Sequence, residues 1–600
     1  MIETTVEFLK QRANLQPDRL AIEALPAGGA QTRIAMTWAD WADSSAAFAA
    51  SLVAAGHVEG GRVAVLAGNR PLWPVADLGT LFAGGVSVGI YPTSSPVQIA
   101  HIIRDSGATV AVVDSAYQLA KLLSVRATLP GLRTIICEEA AGAGVVGWLD
   151  WLTEGRTARR GAAGREVNAR TNRLHPRADA LLIYTSGSTG EPKGARVSHE
   201  YLTAAAKSIG SVLELSESDS SLSFLPFCHA AERVFGLHTR IVFGMATGLV
   251  EDHARLWEAA RAFRPTIFGG VPRFFEKVWE ELHREADGFA PAVREEWLRA
   301  LCLGRQLSRA RRTGSEEPEA IRSEWMQISG AHVQRLRNHL GGRVRVATSG
   351  GAVFPPHVAE DLDALGLTVL AAYGLTEHLC VAFNRQHRYS FDSAGPPMPG
   401  TEIRIAGDGE IMIRRTSLTF SGYHGAPEAT AASFSADGEW LLTGDLGVVG
   451  DDGFLRVTGR KKELIALSNG KKVAPLPIEG LVGRHPWVEQ AVVVGEGRSY
   501  LSALITLRSA SVTSWARGER LDMDFSELLT HPRVTAEVQK AIDSANELLS
   551  RPEQIRRFDL LDRGLSVEAE ELTPTLKVRR EVVVERYRDR VDALYGRFGR

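Results

Sequence analysis

Short apolar runs alternate with amphipathic stretches through the first third of the chain. Three runs are apolar or β-branched, as buried strands are: Arg62–Leu66, Val86–Tyr91 and Thr109–Val113. A helix is predicted between the second and third runs, because Ser95 is a good N-cap, Pro96 suits the first helical position and Gly107 follows the last apolar turn. Trp73 to Ala83 has a second helical pattern. This alternation predicts a parallel sheet with helices on both faces.

Three further stretches carry weaker patterns. Thr5 to Leu20 has the apolar spacing of a helix, with Pro17 near its end. Residues from about Ala140 to His175 are rich in Gly, Ala and charge, and we expect a surface excursion there. Arg284 to Arg337 is charged and predicted to be helical, with Arg309 to Glu317 as its most polar, mobile part.

A loop rich in glycine and hydroxyl groups follows the apolar run Leu181-Leu182-Ile183. Its eleven residues, Tyr184-Thr185-Ser186-Gly187-Ser188-Thr189-Gly190-Glu191-Pro192-Lys193-Gly194, contain three glycines, four Ser/Thr hydroxyls and one lysine. Glycine lets backbone N–H groups approach a ligand closely, so such a loop at the carboxyl end of a strand predicts a phosphate site. The template G-x-x-x-x-G-K-[ST] does not fit, because Lys193 is followed by Gly194.

Two later strands end in polar residues. Arg343 to Ala352 ends in glycines, and Leu367 to Glu377 ends in Tyr373, Thr376 and Glu377. With the loop strand, three strands are expected to deliver polar loops to one edge. An aromatic ring can stack on a base, a hydroxyl can bind phosphate and a carboxylate can hold Mg²⁺, so this edge predicts a nucleotide site.

Charged residues accompany two more short strands. Trp440 to Leu442 precedes Asp445, whose carboxylate can accept hydrogen bonds from both hydroxyls of a ribose. Phe454 to Ile465 crosses between two strand patterns through Gly459 and the cations Arg460-Lys461-Lys462. A run of this kind is usually a solvated face.

The character of the chain changes after the cations. Val488–Val494 and Leu501–Leu507 predict a hairpin, Val534 to Leu549 marks one face of an amphipathic helix, and Lys577 lies on a turn before another helix. We therefore predict an α/β fold with a large N-terminal region of parallel-rich sheets layered with helices, residues 1–460, and a small α+β C-terminal domain, residues 461–600.

Composition narrows the classes of partner. The 600 residues carry a formal net charge of −2, which gives no electrostatic reason to expect nucleic acid as a partner. The four cysteines are far apart, so buried or inert thiols are expected rather than disulfides or a zinc site. The acidic N-terminus lacks a signal-peptide pattern, and the most apolar window, Val234 to Val250, contains His238 and Arg240. A cytosolic protein with peripheral membrane contact at most is predicted.

The motifs resemble those of the adenylate-forming superfamily, which contains acyl- and aryl-CoA synthetases, luciferases and adenylation domains. They follow in order along almost the whole chain: Tyr184–Gly194, Ser349–Ala352, Tyr373–Glu377, Thr443–Asp445, Gly459-Arg460 and Lys577. The resemblance implies two half-reactions. A carboxylate attacks the α-phosphate of ATP to give acyl-AMP and pyrophosphate, and a thiol, normally that of coenzyme A, then displaces AMP.

The resemblance also implies a role for each motif residue. Thr185, Ser186, Gly187, Ser188, Thr189, Gly190 and Lys193 would hold the β- and γ-phosphates, and Gly351, Ala352 and Tyr373 would bracket adenine. Thr376 would touch the α-phosphate, Glu377 would ligate Mg²⁺, and Asp445 and Arg460 would bind ribose. Lys577 would neutralise the charge that develops as the carboxylate attacks phosphorus.

A mobile small domain follows from the same resemblance. Lys462 is similar to the hinge about which that domain rotates between half-reactions, which would withdraw Lys577 from the site. The rotation would expose a thiol tunnel lined partly by Ser468, Asn469 and Gly470.

A narrower resemblance indicates the substrate class. Five segments are similar to the long-chain fatty acyl-CoA synthetase branch: Tyr91–Pro96, Leu225–Arg233, Gly270–Arg273, Asn469–Pro475 and Leu572–Lys577. A long acyl chain needs a deep apolar tunnel, which Val234, Phe235 and Phe268 are candidates to line, although each also suits an ordinary core. His229 either gates the carboxylate end or caps a helix. The sequence departs from the branch pattern at Val353-Phe354 and Phe420-Ser421, which bears on chain length and headgroup.

Two rival functions remain open. A fatty acyl-AMP ligase would pass its adenylate to an acyl carrier protein, but no obvious extra segment lies between Gly459 and Val473 to obstruct rotation. A non-catalytic nucleotide-binding regulator would retain the fold, but Lys193, Glu377 and Lys577 are all present.

Overall fold

The computed structural model describes residues 4–25, 34–139, 142, 144–185, 191–573 and 577–596. The strands are, in chain order, β1 Leu20–Ala24, β2 Ile34–Thr37, β3 Arg62–Leu66, β4 Val86–Ile90, β5 Val110–Val113, β6 Thr134–Cys137, β7 Val146–Gly147, β8 Asp179–Thr185, β9 Lys193–Ser198, β10 Ser220–Ser223, β11 Ala246–Leu249, β12 Ile267–Gly270, β13 Val346–Ser349, β14 Val369–Leu375, β15 His378–Phe383, β16 Ile403–Ile405, β17 Glu410–Arg414, β18 Trp440–Val449, β19 Leu455–Arg460, β20 Ile465–Ala466, β21 Lys472–Val473, β22 Val488–Val494, β23 Leu501–Leu507 and β24 Ile555–Leu560.

Helices separate most of these strands. The α-helices are α1 Thr5–Leu15, α2 Trp38–Ala54, α3 Leu72–Phe82, α4 Pro96–Ser106, α5 Ala116–Val125, α6 Trp148–Ala158, α7 Ala162–Arg173, α8 His199–Leu213, α9 Thr239–Phe243, α10 Leu256–Phe263, α11 Pro272–Asp287, α12 Pro291–Thr313, α13 Glu319–Ile328, α14 Gly330–His339, α15 Pro356–Ala364, α16 Pro427–Ala431, α17 Pro475–Val482, α18 Ser509–Gly518, α19 Phe525–Leu529, α20 Pro532–Glu547, α21 Arg580–Arg586 and α22 Arg588–Tyr595. Ala231–His238 is a π-helix, and Arg126–Thr128, His253–Arg255 and Lys461–Glu463 are 3₁₀ turns.

The first half of the chain builds a seven-stranded sheet in the order β7-β6-β5-β3-β4-β8-β9. All neighbours pair in parallel except β8 and β9, so the predicted parallel sheet is confirmed. The helix predicted between β4 and β5 is confirmed as α4: Ser95 caps it in a capping box with Gln98, and Gly107 ends it at φ 67°.

A second sheet has eight strands in the order β15-β14-β13-β12-β10-β11-β1-β2. Its inner pairings, from β14 to β1, are parallel, and each edge strand pairs antiparallel. The loop strand β8 belongs to the first sheet, whereas β13 and β14 belong to the second. The expectation of three polar loops at one edge is therefore wrong, because the three strands belong to two different sheets.

Two smaller units complete the chain. Strands β16 to β19 form an antiparallel sheet, and β22, β23 and β24 form a three-stranded sheet with the predicted hairpin as its first pair. The predicted amphipathic helix is α20, which buries Val534, Val538 and Ile542. Two hydrophobic clusters consist only of residues between 465 and 595, so this part of the chain has its own core.

The weaker sequence patterns gave mixed results. The N-terminal helix ends at Leu15, shorter than predicted, because the chain turns at Pro17 and pairs as β1 from Leu20. The 284–337 segment is helical, as predicted. The expected surface excursion from Ala140 to His175 is wrong: it contains α6 and α7, and Trp148 and Trp151 of α6 are buried against Phe48.

The thiols are all free, and three of them are buried. Cys302 is the exception, since it is exposed on α12. Among the helices in the described ranges, none combines the length and the apolar character that a membrane span requires.

We expect Trp151→Ala to lower the free energy of unfolding by about 3–5 kcal/mol, because it leaves a cavity between α6 and α2. Leu149→Ala is the matched control on the same helix: Leu149 is 75% exposed, so its loss should change stability by less than about 0.5 kcal/mol. Urea unfolding followed by circular dichroism measures both. Equal effects would contradict the assignment of α6 to the core.

Candidate active site

The phosphate loop connects two antiparallel strands. Thr185 ends β8 and lies opposite Lys193 at the start of β9. Ser186, Gly187, Ser188, Thr189 and Gly190 lie outside the described residues. A Cβ at Gly194 would come 3.1 Å from the Tyr184 ring, so glycine lets the returning strand pass close to that side chain.

Helix α4 holds both ends of this loop. The Tyr184 hydroxyl donates to Asp105 at 2.5 Å, and burial with this carboxylate raises the tyrosine pKa. On the other side, His101 Nε2 lies 3.0 Å from the Pro192 carbonyl oxygen. The two residues that flank the loop, Tyr184 and Pro192, are therefore both held by a capped helix.

The turn between β14 and β15 is fixed by one buried tyrosine. The Tyr201 hydroxyl, on α8, donates to the Thr376 carbonyl at 3.1 Å and accepts from the Leu379 N–H at 2.8 Å. The Glu377 carbonyl accepts from the Phe420 N–H at 2.8 Å. These bonds hold Thr376 and Glu377 in place from helix α8 and from the segment between β17 and α16.

Tyr423 connects the phosphate loop to that turn, and the sequence reasoning missed it. Its hydroxyl donates to Glu377 Oε1, and its ring lies 5.8 Å from Lys193 Nζ. Burial and the Glu377 charge raise the Tyr423 pKa, so the phenol stays a donor. The one sequence signal for Tyr423 is the glycine directly before it, Gly422, whose φ in the structure is 114°.

Glu377 suits a magnesium ion shared with phosphates. Tyr423 occupies Oε1, and no described residue hydrogen-bonds to Oε2. In the described ranges no group of three or more His, Cys, Asp or Glu side chains could hold a metal by itself. One carboxylate completed by phosphate oxygens and water is how Mg²⁺ is usually held, so the residues fit this ion.

A buried carboxylate joins the strands on the predicted ribose side. Asp445 of β18 accepts from the Tyr373 hydroxyl at 2.6 Å and pairs with Arg460 of β19 at 3.0 Å. Burial, together with the Asp445 charge, raises the Tyr373 pKa. Gly351 and Ala352 follow β13, and the φ of 83° at Gly351 favours glycine there.

Lys577 is placed beside this carboxylate by the C-terminal part of the chain. Burial and, after it, the Arg460 charge lower its pKa to about 8, while Asp445 and Glu463 oppose the shift. The backbone N–H of Lys577 donates to the Thr573 hydroxyl at 3.0 Å. The ammonium group is thus partly desolvated and lies among the charges of Arg460, Asp445 and Glu463.

His229 lies close enough to Lys577 to feel its charge. Burial and, after it, the Lys577 charge lower the His229 pKa to about 4, so the imidazole is neutral near pH 7. Its Nδ1 accepts from the Ala231 N–H at 3.1 Å, at the start of the π-helix. His229 thereby satisfies the first N–H of the π-helix, which is the capping role that the sequence left open.

Five fully buried side chains hold the π-helix in place: Arg233 and His238 of the helix itself, and their partners Asp77, Ser87 and Trp73. Arg233 donates to Asp77 and to the Ser87 hydroxyl, and its guanidinium lies 5.8 Å from the Trp73 ring centre. His238 lies 3.3 Å from the second oxygen of Asp77.

The predicted acyl-pocket residues lie in different environments. Val234 is fully buried in the core between α3 and α8, and Phe268 packs between Phe224 and Trp257. Phe235 differs, because its ring borders Gly269 of β12, where a Cβ would be 3.9 Å away. Among these apolar candidates, Phe235 is the one whose ring lies beside a glycine, where the strand has no side chain.

The predicted hinge and thiol-tunnel residues adjoin β19. Lys462 is in the 3₁₀ turn after Arg460, and its neighbour Lys461 pairs with Asp408 at 2.6 Å and Glu410 at 2.9 Å. Ser468, Asn469 and Gly470 form the turn between β20 and β21, where the Gly470 N–H donates to the Leu467 carbonyl.

Two family models together cover most of the chain. The model described as AMP-binding enzyme matches residues 9–424, and the one described as AMP-binding enzyme C-terminal domain matches residues 462–599. The chain belongs to the AMP-binding enzyme family. The predicted resemblance to the adenylate-forming superfamily is thereby confirmed.

Relatives in this family match over most of their length. The chain is 33% identical over 579 residues to the long-chain-fatty-acid–CoA ligase FadD15 of Mycobacterium bovis. The matched region covers 94% of this chain and 92% of that protein. It is 29% identical over 569 residues to the long-chain-fatty-acid–CoA ligase ACSBG1 of Rattus norvegicus, with 89% and 78% covered.

Solved structures share the fold at lower identity. An anthranilate CoA ligase in complex with anthranoyl-AMP has a TM-score of 0.74 and 20% identity, covering 99% of this chain and 98% of that one. The adenylation domain of a carboxylate reductase from Mycobacterium chelonae has a TM-score of 0.75 and 22% identity, covering 99% and 91%. These similarities confirm the predicted fold class.

Proposed function

We propose that this protein uses ATP to activate a fatty acid as acyl-AMP and transfers the acyl group to coenzyme A. The observation that carries the proposal is the position of Lys577, close enough to Asp445 and Arg460 for their charges to act on its pKa. Lys193, Tyr423 and Glu377 form a second group of contacting side chains. The names of the relatives, long-chain-fatty-acid–CoA ligases, support an acyl-CoA product.

The first half-reaction needs positive charge around phosphorus. A carboxylate oxygen of the fatty acid attacks the α-phosphate, the bond to the β-phosphate breaks, and pyrophosphate leaves. Lys193 and the backbone donors of the phosphate loop would hold the leaving group, with Mg²⁺ on Glu377 neutralising phosphate charge. Lys577 would stabilise the attacking carboxylate and the α-phosphate together, and Thr376 would orient that phosphate.

The nucleoside would be held on the other side of the same site. Asp445 presents a carboxylate that can accept from ribose hydroxyls, and Arg460 holds it in place. Tyr373 would lie against adenine, together with Gly351 and Ala352, because its hydroxyl is tethered to Asp445 and its ring cannot rotate freely. Binding of ATP would thus draw on residues of three sheets.

The second half-reaction needs a different arrangement. The thiol sulfur of coenzyme A attacks the acyl carbonyl, AMP leaves and the thiol proton is released. We propose that the chain divides into domains 1–460 and 461–600 and that the second rotates about Lys462. The rotation withdraws Lys577 and opens a thiol path beside Ser468, Asn469 and Gly470.

The fatty acid would enter next to β12. Its carboxylate would lie near His229 and its chain would extend past Phe235 and Gly269, with Val234 and Phe268 forming the wall behind. A long chain is the proposed substrate class. Cytosolic placement with peripheral membrane contact suits a substrate that partitions into bilayers and stays a prediction.

The proposal is tested by carboxylate-dependent exchange of pyrophosphate into ATP across short, medium, long and aromatic acids. We expect exchange with fatty acids, strongest for long chains, and thioester formation when coenzyme A is added. Exchange without a coenzyme A product, but with acyl transfer to a carrier protein, would instead indicate an acyl-AMP ligase. No exchange with any acid would contradict enzymatic activation altogether.

We expect Lys577→Ala to slow acyl-AMP formation by about 10²- to 10³-fold, the usual cost of removing one preorganised charge-stabilising donor. Conversion of supplied acyl-AMP to thioester should continue, because Lys577 would be withdrawn in that step. Single-turnover assays of each half-reaction measure the difference. Equal loss in both, in a variant that remains folded, would refute the proposed domain rotation.

The pH dependence of the first half-reaction should report on Lys577. With a pKa of about 8, the Lys577 side chain is a charged ammonium below that pH and a neutral amine above it. The rate should therefore fall as pH rises through about 8. Glu463 raises this pKa, and Glu463→Gln should therefore move the alkaline fall to lower pH. A fall at the same pH in both proteins would assign it to another group.

A further inference from the structure

One face of α11 carries charges directed at the C-terminal part of the chain. Arg273, Glu276 and Glu280 are spaced i, i+3 and i+7, so they share one side of the helix. The opposite side buries Phe275 and Val278 in the core below β12. The charged side is therefore held rigidly by the large N-terminal region.

Two residues of the C-terminal part meet this face. Glu489 of β22 lies 2.5 Å from Arg273, and Arg508, directly after β23, lies 2.7 Å from Glu280 and 3.7 Å from Glu276. The Arg508 side chain is 9% exposed and that of Glu276 14%. Partly buried pairs are screened less by salt than surface pairs, so this network is stronger than an ordinary surface ion pair.

The carboxylates and guanidiniums in this network shift one another's pKa values. Although burial opposes the charged form, Glu280, Glu489 and Glu276 together raise the Arg273 pKa. Burial raises the Glu276 pKa, while Arg273 and Arg508 oppose that shift. Separating the two halves of the network would leave buried charges without partners, which is costly.

Contacts within the C-terminal part of the chain connect Glu489, Arg508 and Lys577. Arg508 also donates to the Pro486 carbonyl at 3.0 Å, within its own part of the chain. Arg580, three residues after Lys577, donates to the Val493 carbonyl of β22 at 2.7 Å and pairs with Glu479. Any rotation that removes Lys577 from the site must therefore pull Glu489 and Arg508 away from α11.

We propose that Arg273, Glu276, Glu280, Glu489 and Arg508 form an interdomain latch that positions Lys577 for the first half-reaction and must open before the second. The inference rests on the proposed function, since the latch acts by setting how often Lys577 is in place. These five are positioning residues, because none of them contacts the residues around Asp445 or Glu377. The latch favours adenylation and opposes premature opening.

Removing one charge should shift the balance between the two half-reactions. We expect Glu489→Gln to slow acyl-AMP formation about three- to tenfold, in keeping with the size of coupling between contacting charges. Thioester formation from supplied acyl-AMP should be unchanged or faster. Raising the salt concentration should slow acyl-AMP formation in the unaltered protein more than in the variant, because the variant has less charge left to screen.

The matched variants separate the latch from general charge effects. Arg273→Gln combined with Glu489→Gln should cost no more than the larger single change, because both remove the same contact. Glu519→Gln is the control: Glu519 pairs with Arg533 at 2.9 Å inside the C-terminal part and away from α11, so both half-reactions should be unchanged. Equal slowing of both half-reactions by Glu489→Gln, or no change in either, would overturn the latch.

A distance measurement tests the latch without any catalysis. Spin labels on the exposed Cys302 of α12 and on Ser514→Cys of α18 report the separation of the two parts by double electron–electron resonance, while the other three cysteines are buried. We expect one narrow distance distribution that broadens or shifts with Glu489→Gln but not with Glu519→Gln. Identical distributions would refute the latch even in an active enzyme, and a shift would support it even if pyrophosphate exchange failed.

Discussion

The arrangement of the site depends on one buried carboxylate, Asp445. It accepts from Tyr373, which lies in β14 of the second sheet, and it pairs with Arg460, which precedes the C-terminal part. Its charge also helps to keep Lys577 protonated, against burial and against Arg460. A buried charge needs partners on several sides, and here each partner comes from a different structural unit. The partners of the Asp445 carboxylate therefore bring together the second sheet, the sheet of β16 to β19 and Lys577.

Sequence patterns predicted the structure correctly wherever interactions between residues close in the sequence determine it. Ser95, Pro96 and Gly107 defined α4 because caps act within one turn. The hairpin of β22 and β23 followed from two apolar strands separated by a short polar turn. The motifs were recognised by their order along the chain: Lys193 begins β9 and Glu377 follows β14, whereas Asp445 lies inside β18. The roles predicted for these residues and for Lys577 stay predictions.

Predictions failed where tertiary packing decides the outcome. Composition suggested an exposed segment at 140–175, but small residues allow close helix packing, and Gly155 would place a Cβ 2.0 Å from the Ala47 carbonyl oxygen. Tyr201 and Tyr423 were missed because their partners are far away in sequence: the Tyr201 hydroxyl bonds across 175 residues. The ion pairs of α11 have the spacing of an ordinary solvated face, and only the fold supplies Glu489 and Arg508 opposite them.

The π-helix after His229 has a consequence for comparing this chain with its relatives. A π-turn closes i→i+5 rather than i→i+4, so it takes up an extra residue for the same advance along the axis. In Ala231–His238 this geometry lets Arg233 reach Asp77 while Phe235 borders Gly269. An α-helical relative must be aligned with a gap at this point if equivalent side chains are to be matched. Across this segment, residues of two proteins should be matched by the direction of their side chains and not by counting positions along the chain.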